Sequence, residues 1–214
     1  MTLQCEPGAN QTANQPPDQP VIDDLANGLA RLETRLAALA AQNQSDAGWQ
    51  VPAVIKVRLP AELVAEAVRA VWPQVAALAR GGDLNLSATT VADLNARLCT
   101  VAGLARADPT SAVQFANDWG DLIQPVIDAD AEPGDDPLWW DYLVLAALAW
   151  DASLPALGLT TAWLFIGGWR LQTGLPVVAP NPALDEPFLA ALDSARPGLW
   201  DAESLRGGPW FDPA

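Results

Sequence analysis

Histidine is absent from this chain of 214 residues, and lysine, methionine and tyrosine each occur once. Without an imidazole, the chain cannot form a Ser-His-Asp or Cys-His nucleophilic site, or a metal site that requires histidine ligands. The sequence also has no CxxC pair, no GxxxxGK[ST] phosphate-binding loop and no GxGxxG dinucleotide motif. We therefore expect no cofactor and no metal, and the sequence singles out no catalytic residue.

Cysteine is scarce as well, with Cys5 and Cys99 as the two thiols. They lie far apart in the sequence, and Cys5 stands in a polar segment, so we expect no disulfide framework. Cys99 stands among helix-forming residues, which favours a small core residue over a nucleophile. The first residues have neither the basic cluster nor the apolar run of a secretory signal, which predicts a protein that is cytoplasmic or held within a larger assembly.

Positive charge is in short supply, because 11 basic residues face 26 acidic ones and the net charge is −15. Residues 108–214 carry most of the excess, with sixteen acidic and three basic residues. An acidic surface repels phosphate, so we expect no nucleic-acid partner. The acidic half either attracts a basic protein partner or keeps a tryptophan-rich chain in solution, and the sequence leaves both open.

Apolar residues are abundant in residues 136–175, which hold five of the ten tryptophans and four charged residues. This stretch predicts two buried helices at the centre of the core, separated by Ser153, Pro155 and Gly158. Residues 152–169 carry no charge, so a membrane-associated helix is the alternative. We favour a buried hairpin, because Pro155 and Gly158 interrupt that run and no basic cluster flanks it.

The clearest pattern is a heptad repeat in residues 21–42. Residues 1–20 before it are polar and predict a flexible arm, and residues 43–50 after it form a polar linker. The repeat predicts a helix that self-associates as a short coiled coil. Because the repeat is short, the alternative is an amphipathic helix that packs on its own domain. Its apolar positions are Ile22, Leu25, Leu29, Leu32, Leu36 and Leu39.

Residues 51–60 are rich in β-branched side chains and predict one short strand. A helix follows over residues 61–79, with an apolar face that ends at Leu78 and a kink expected at Pro73.

The run VIKVRLPAELVAEAV, residues 54–68, resembles the opening of a ribbon-helix-helix DNA-binding domain, which implies a basic strand that enters the major groove. The chain departs from that pattern, because its helix continues through Pro73 and the segment is barely basic.

The last residues, 200–214, form an acidic-aromatic tail. Trp200, Trp210 and Phe211 either bind a partner or fold back on the core, and the large gain from burying aromatic rings favours folding back.

Paired carboxylates are the remaining candidates for chemistry. Asp118 and Asp121 stand three residues apart on a predicted helix, and Asp201 and Glu203 lie beside Trp200. A glycosidase uses two carboxylates that flank the bond it cleaves. Because acidic residues are common throughout this chain, a carbohydrate-active enzyme or carbohydrate-binding protein is an alternative and not the favoured function.

Together these features predict a mainly α-helical protein with a helical domain over residues 51–199. The arm, the association helix over residues 21–42 and the linker come before this domain, and the tail over residues 200–214 comes after it. The predicted function is that of a non-catalytic, oligomerising structural, scaffold or adaptor protein that binds itself and another protein. The alternatives are a carboxylate-dependent glycosidase or carbohydrate-binding protein, and a membrane-associated helical protein.

Overall fold

The computed structural model describes residues 19–42, 59–105, 109–122, 138–151, 153–154, 156–196 and 204–212. Within these residues the chain is mainly α-helical, as predicted, with seven α-helices and no strand. Residues 1–18, residues 43–50 and the strand predicted within residues 51–58 lie outside the described part. The helices are α1 (Gln19–Gln42), α2 (Ala61–Gly81), α3 (Ala88–Val101), α4 (Pro109–Leu122), α5 (Trp139–Ala149), α6 (Gly158–Gln172) and, after a 3₁₀ turn at Pro182–Leu184, α7 (Asp185–Ser194).

The two helices predicted at the centre of the core are α5 and α6. Helix α6 contacts α1, α2, α3 and α5, and every residue from 159 to 168 is buried. A helix with neighbours on so many sides must be apolar around its whole circumference, which explains why this stretch has so few charges. Within the described chain, no helix has the length and apolarity that a membrane crossing requires.

A glycine allows α2 to approach α6 closely. A Cβ atom on Gly168 would lie 2.7 Å from Val75 Cγ1 and 2.9 Å from Leu84 Cδ2. Any larger residue would therefore push the two helices apart. Helix α2 runs without a break through Pro73 to Gly81, and the left-handed backbone of the following Gly82 (φ 76°) closes the last turn.

Helix α1 packs on the rest of its own chain, against α2, α6 and α7. Five of its six heptad residues are at most 8% exposed, and Leu39 is partly buried against the same core. The structure therefore agrees with the alternative interpretation, an amphipathic helix that packs on its own domain, and not with a helix that stands apart. The repeat by itself does not distinguish the two interpretations, because a stripe of apolar residues is buried in either case. A coiled coil through these leucines would require α1 to leave α2.

Ion pairs join the described helices, and at two of these places the carboxylate is buried. Arg31 of α1 binds Asp185 at the start of α7 through two hydrogen bonds of 2.5 and 3.0 Å, and Arg35 adds a third of 3.2 Å. Arg170 near the end of α6 binds Asp141 of α5 at 3.0 Å, with both side chains almost completely buried. A carboxylate so deeply buried is tolerated because a guanidinium neutralises it.

Candidate functional site

The tail aromatic residues considered as possible partner contacts lie in the core wherever the structure describes them. Trp210 is 8% exposed and donates its indole N–H to the Leu205 carbonyl at 2.9 Å. Phe211 is 1% exposed, and its ring centroid lies 4.9 Å from that of Trp163. These two rings fold back on the core, in agreement with the favoured alternative, and Trp200 lies outside the described residues.

The structure describes one of the two candidate carboxylate pairs, and the tryptophan between its two acids is buried. Asp118 and Asp121 both lie on α4, half-buried and exposed respectively. Trp119, which stands between them in sequence, is 3% exposed and packs edge-on against a buried phenylalanine. Its ring therefore cannot serve as a platform for a sugar beside these acids. Asp201 and Glu203 lie outside the described residues.

Glu33 of α1 lies at the N-terminus of α6. Its Oε1 atom accepts a hydrogen bond from the Thr160 backbone N–H at 2.8 Å and another from the Thr160 hydroxyl at 2.8 Å. The first N–H groups of a helix have no partner within the helix, and they form its positive end. Glu33 thus caps α6 from a different helix. Burial raises the pKa of this carboxyl, and the two hydrogen bonds from Thr160 oppose the rise.

A strained turn brings the start of α6 to this position. Leu157, the residue before α6, has a left-handed backbone (φ 60°, ψ 32°), which costs a non-glycine residue about 1–2 kcal/mol. The Leu157 carbonyl nevertheless accepts hydrogen bonds from the N–H of Thr161 at 2.8 Å and from its hydroxyl at 2.7 Å. A Cβ atom on the next residue, Gly158, would collide with the Leu148 carbonyl of α5. Close packing of α5 against this turn therefore requires glycine there.

A second carboxylate, Asp151, lies between α5 and α6. It accepts hydrogen bonds from the backbone N–H of Ser153 at 2.8 Å and from the Ser153 hydroxyl. Burial raises the pKa of Asp151, the hydrogen bonds from Ser153 lower it, and the negative charge of Asp118 raises it further. Asp151 is thus a second acid whose charged form is disfavoured in this part of the fold.

Glu33 and Asp151 line the same cavity, together with apolar side chains that include Leu36 and Leu157. The cavity has a volume of about 40 Å³. A cavity needs about 10–15 Å³ of this kind of volume to hold one water, so the space between the helices is of the size of a few water molecules. We call this region the acidic pocket.

A buried polar cluster lies behind the acidic pocket. Asn95 of α3 donates to the Ala156 carbonyl at 2.6 Å and to the Thr161 hydroxyl at 2.9 Å, and so ties α3 to the same turn. The Cys99 thiol lies 3.6 Å from Asn95 Oδ1. Burial raises the pKa of Cys99 to about 11, and the carboxylate of Glu33 adds to the rise. Since the thiolate is the reactive form, Cys99 is a core residue, as predicted.

Sequence analysis did not single out Glu33 or Asp151. Glu33 follows Leu32 within the heptad repeat and has the appearance of an ordinary flanking charge. Its partner Thr160 is 127 positions away, so no local pattern connects them. The available signal is that Glu33 is the one acidic residue between Asp24 and the linker, in a helix otherwise rich in alanine and leucine.

Two carboxyl groups with raised pKa values beside one cavity resemble an acid–base site. The volume decides against this role, since small-molecule sites are about 300–1,000 Å³.

Comparison with known proteins gives no match, whether with family models, with curated proteins or with solved structures. The acidic pocket is therefore best described as the point where α1, α5 and α6 are held together.

Proposed function

We propose that the chain is a non-catalytic scaffold or adaptor protein whose partner is another protein. One observation carries the proposal: the cavity shared by Glu33 and Asp151 has a volume of about 40 Å³. A cavity of this size admits a few water molecules and is far smaller than the about 300–1,000 Å³ of typical small-molecule sites. Glu33 therefore joins α1 to α6, and Asp151 stabilises the turn between α5 and α6, instead of acting on a substrate.

The tryptophans support the same function. Five of the eight in the described residues are buried, and the other three are half-buried. Trp150 donates its indole N–H to the Leu192 carbonyl at 2.7 Å, and Trp163 donates to the Val178 carbonyl at 2.8 Å. A ring packed in this way, with its polar atom satisfied inside the protein, stabilises the core and has no face left for a ligand.

The charge of the surface indicates the kind of partner. The described residues expose many carboxylates, and the whole chain carries a net charge of −15. Such a field speeds association with a basic protein and opposes association with nucleic acid. The exposed acidic residues of the described part are Asp24, Glu62, Glu66, Asp83, Asp93, Asp121, Glu186 and Asp212.

Association between copies of the chain stays a prediction, and it requires a surface other than the heptad leucines. Five large apolar side chains of the described residues are well exposed and are the available contacts. They are Val21, Leu78, Val101, Val113 and Leu175.

The size of the complex that the chain forms in cells tests this function. An extract of the cells that make the protein is fractionated by gel filtration, and the chain is followed with an antibody. The purified chain at the same concentration provides the reference mass by light scattering. We expect the cellular chain to elute in a larger particle than the purified chain forms alone, and to shift towards the reference at high salt. Identical elution at low salt, or hydrolysis of a glycoside by the purified chain, would contradict the proposal.

A further inference from the structure

Helices α2 and α3 enclose a groove that the fold does not fill. Its walls are the side chains of Val71, Val75, Leu84 and Leu94, each at most 5% exposed, and Leu78 stands at its edge with 43% exposure. The groove has a volume of about 150 Å³. An engineered cavity of about 150 Å³ lined by leucine, isoleucine and phenylalanine binds benzene, so this space matches one phenyl or branched aliphatic side chain.

Two of the residues that form the walls of the groove, Val75 and Leu84, are fixed by their neighbours. The backbone N–H of Leu84 donates to the Gln172 side-chain oxygen at 3.0 Å, and the Leu84 carbonyl accepts from the Gln172 amide at 3.2 Å. Val75 and Leu84 both lie against Gly168 of α6, so neither can sink further into the core. A groove that is formed before binding loses little conformational entropy when a ligand enters, which favours affinity.

The rim of the groove carries two carboxylates and one guanidinium, and therefore a net negative charge. Asp83 and Asp93 are both exposed, and neither has an ion-pair partner among the described residues. Among the described residues that line the groove, the cation is Arg97, which donates a hydrogen bond to the Gln74 side-chain oxygen. An apolar pocket with an acidic rim is complementary to an apolar side chain that has basic neighbours.

We propose that the α2–α3 groove is the docking site for a segment of another protein that inserts one bulky apolar side chain and places Lys or Arg next to Asp83 and Asp93. The proposal deepens the proposed function and rests on it, because it assumes a protein partner. The charge of the whole chain points to the same chemistry, since a net charge of −15 repels an acidic segment.

A displayed library of random peptides provides the probe. It is selected against the full chain, and the enriched peptides are then measured against Leu78→Glu and against Leu175→Glu. Leu175 is a matched control, because it has 42% exposure and lies outside the groove. Circular dichroism shows whether both variants fold, as expected for substitutions at exposed positions.

We expect enriched peptides to combine a large apolar residue with Lys or Arg. They should bind the wild-type chain and Leu175→Glu equally, and lose about tenfold or more in affinity for Leu78→Glu, which corresponds to about 1.4 kcal/mol. The double variant Asp83→Asn, Asp93→Asn should bind them more weakly than wild type, with a smaller salt dependence. Failure to enrich peptides, or peptides that bind Leu78→Glu as well as wild type, would overturn the proposal.

Two further outcomes separate this inference from the proposed function. If Leu78→Glu still enters the large cellular particle, the groove is not the docking site, although the adaptor function stands. If the purified wild-type chain has a larger mass by light scattering than Leu78→Glu, the groove holds a second copy of the chain, and the assignment to another protein is wrong.

Discussion

Two carboxylates, Asp141 buried and Glu33 half-buried, lie near opposite ends of α6, and they are compensated in different ways. Near the C-terminal end, Asp141 forms an ion pair with Arg170 at 3.0 Å, and Arg170 also donates to the Pro176 carbonyl at 2.8 Å. At the N-terminal end, Glu33 accepts two hydrogen bonds from Thr160 and has no ion-pair partner among the described residues. One carboxylate is compensated by a full positive charge, and the other by a helix N-terminus and a hydroxyl.

The difference shows how much compensation each arrangement supplies. A guanidinium in contact with a carboxylate supplies a whole charge and several donors in a fixed geometry. A helix N-terminus supplies about half a charge, so the desolvation of Glu33 is not fully offset and its pKa is raised. We therefore expect Asp141 to depend strongly on one residue, and Glu33 to depend weakly on several.

The largest effect is expected when the guanidinium is removed. Arg170→Met leaves Asp141 buried without its cation, and breaking a buried pair in this way costs about 3–5 kcal/mol. Urea unfolding followed by tryptophan fluorescence measures the loss. The double variant Asp141→Leu, Arg170→Met should recover most of it, because no uncompensated charge remains. A loss within about 0.5 kcal/mol, typical of a surface substitution, would show that the pair is not buried in solution.

The next effect concerns the helix that carries Glu33. Leu29 is 0% exposed, and Leu29→Ala should cost about 2–5 kcal/mol, as for other buried leucines. Leu39 is only partly buried, so Leu39→Ala should cost less and serves as the matched control. Light scattering on both variants should give the wild-type mass. A lower mass for Leu29→Ala with little loss of stability would instead support self-association through the heptad residues.

Part of this structure could be predicted from the sequence. The helical class and the two central helices were predictable, because a stretch that is apolar on all sides must be surrounded. The sequence did not decide what α1 packs against. A stripe such as Leu25, Leu29 and Leu32 does not reveal whether the helices that bury it belong to the same chain or to another copy. The contact of Glu33 with Thr160 could not be predicted, because it depends on how α1 and α6 are placed in three dimensions.

A smaller effect is expected when the hydroxyl donor is removed from Glu33. Thr160→Val keeps the size and the branching of the side chain, and the backbone N–H of residue 160 can still donate. Leaving one acceptor of a half-buried carboxylate without its donor should cost about 1–2 kcal/mol. Thr173→Val is a matched control, since this hydroxyl is exposed and donates to the backbone of its own helix. If both variants lose the same stability, the hydrogen bond from the Thr160 hydroxyl to Glu33 stabilises the protein no more than the exposed hydroxyl of Thr173 does.

The smallest change in stability at any one pH is expected for Glu33→Gln. This variant is nevertheless the most specific test, because it removes only the titration of residue 33. The folded-state pKa of Glu33 is raised above its ordinary value of 4.5, so the stability it contributes is fully present below that value and is lost as pH rises through the folded pKa. The wild-type chain should therefore lose stability relative to Glu33→Gln between about pH 4 and neutral pH, because glutamine does not titrate and its oxygen can still accept from Thr160. Urea midpoints measured across this range give the difference directly, with the exposed Asp121→Asn as a control. A difference that stays constant with pH would mean that the helix N-terminus and the two hydrogen bonds from Thr160 fully offset the desolvation of Glu33.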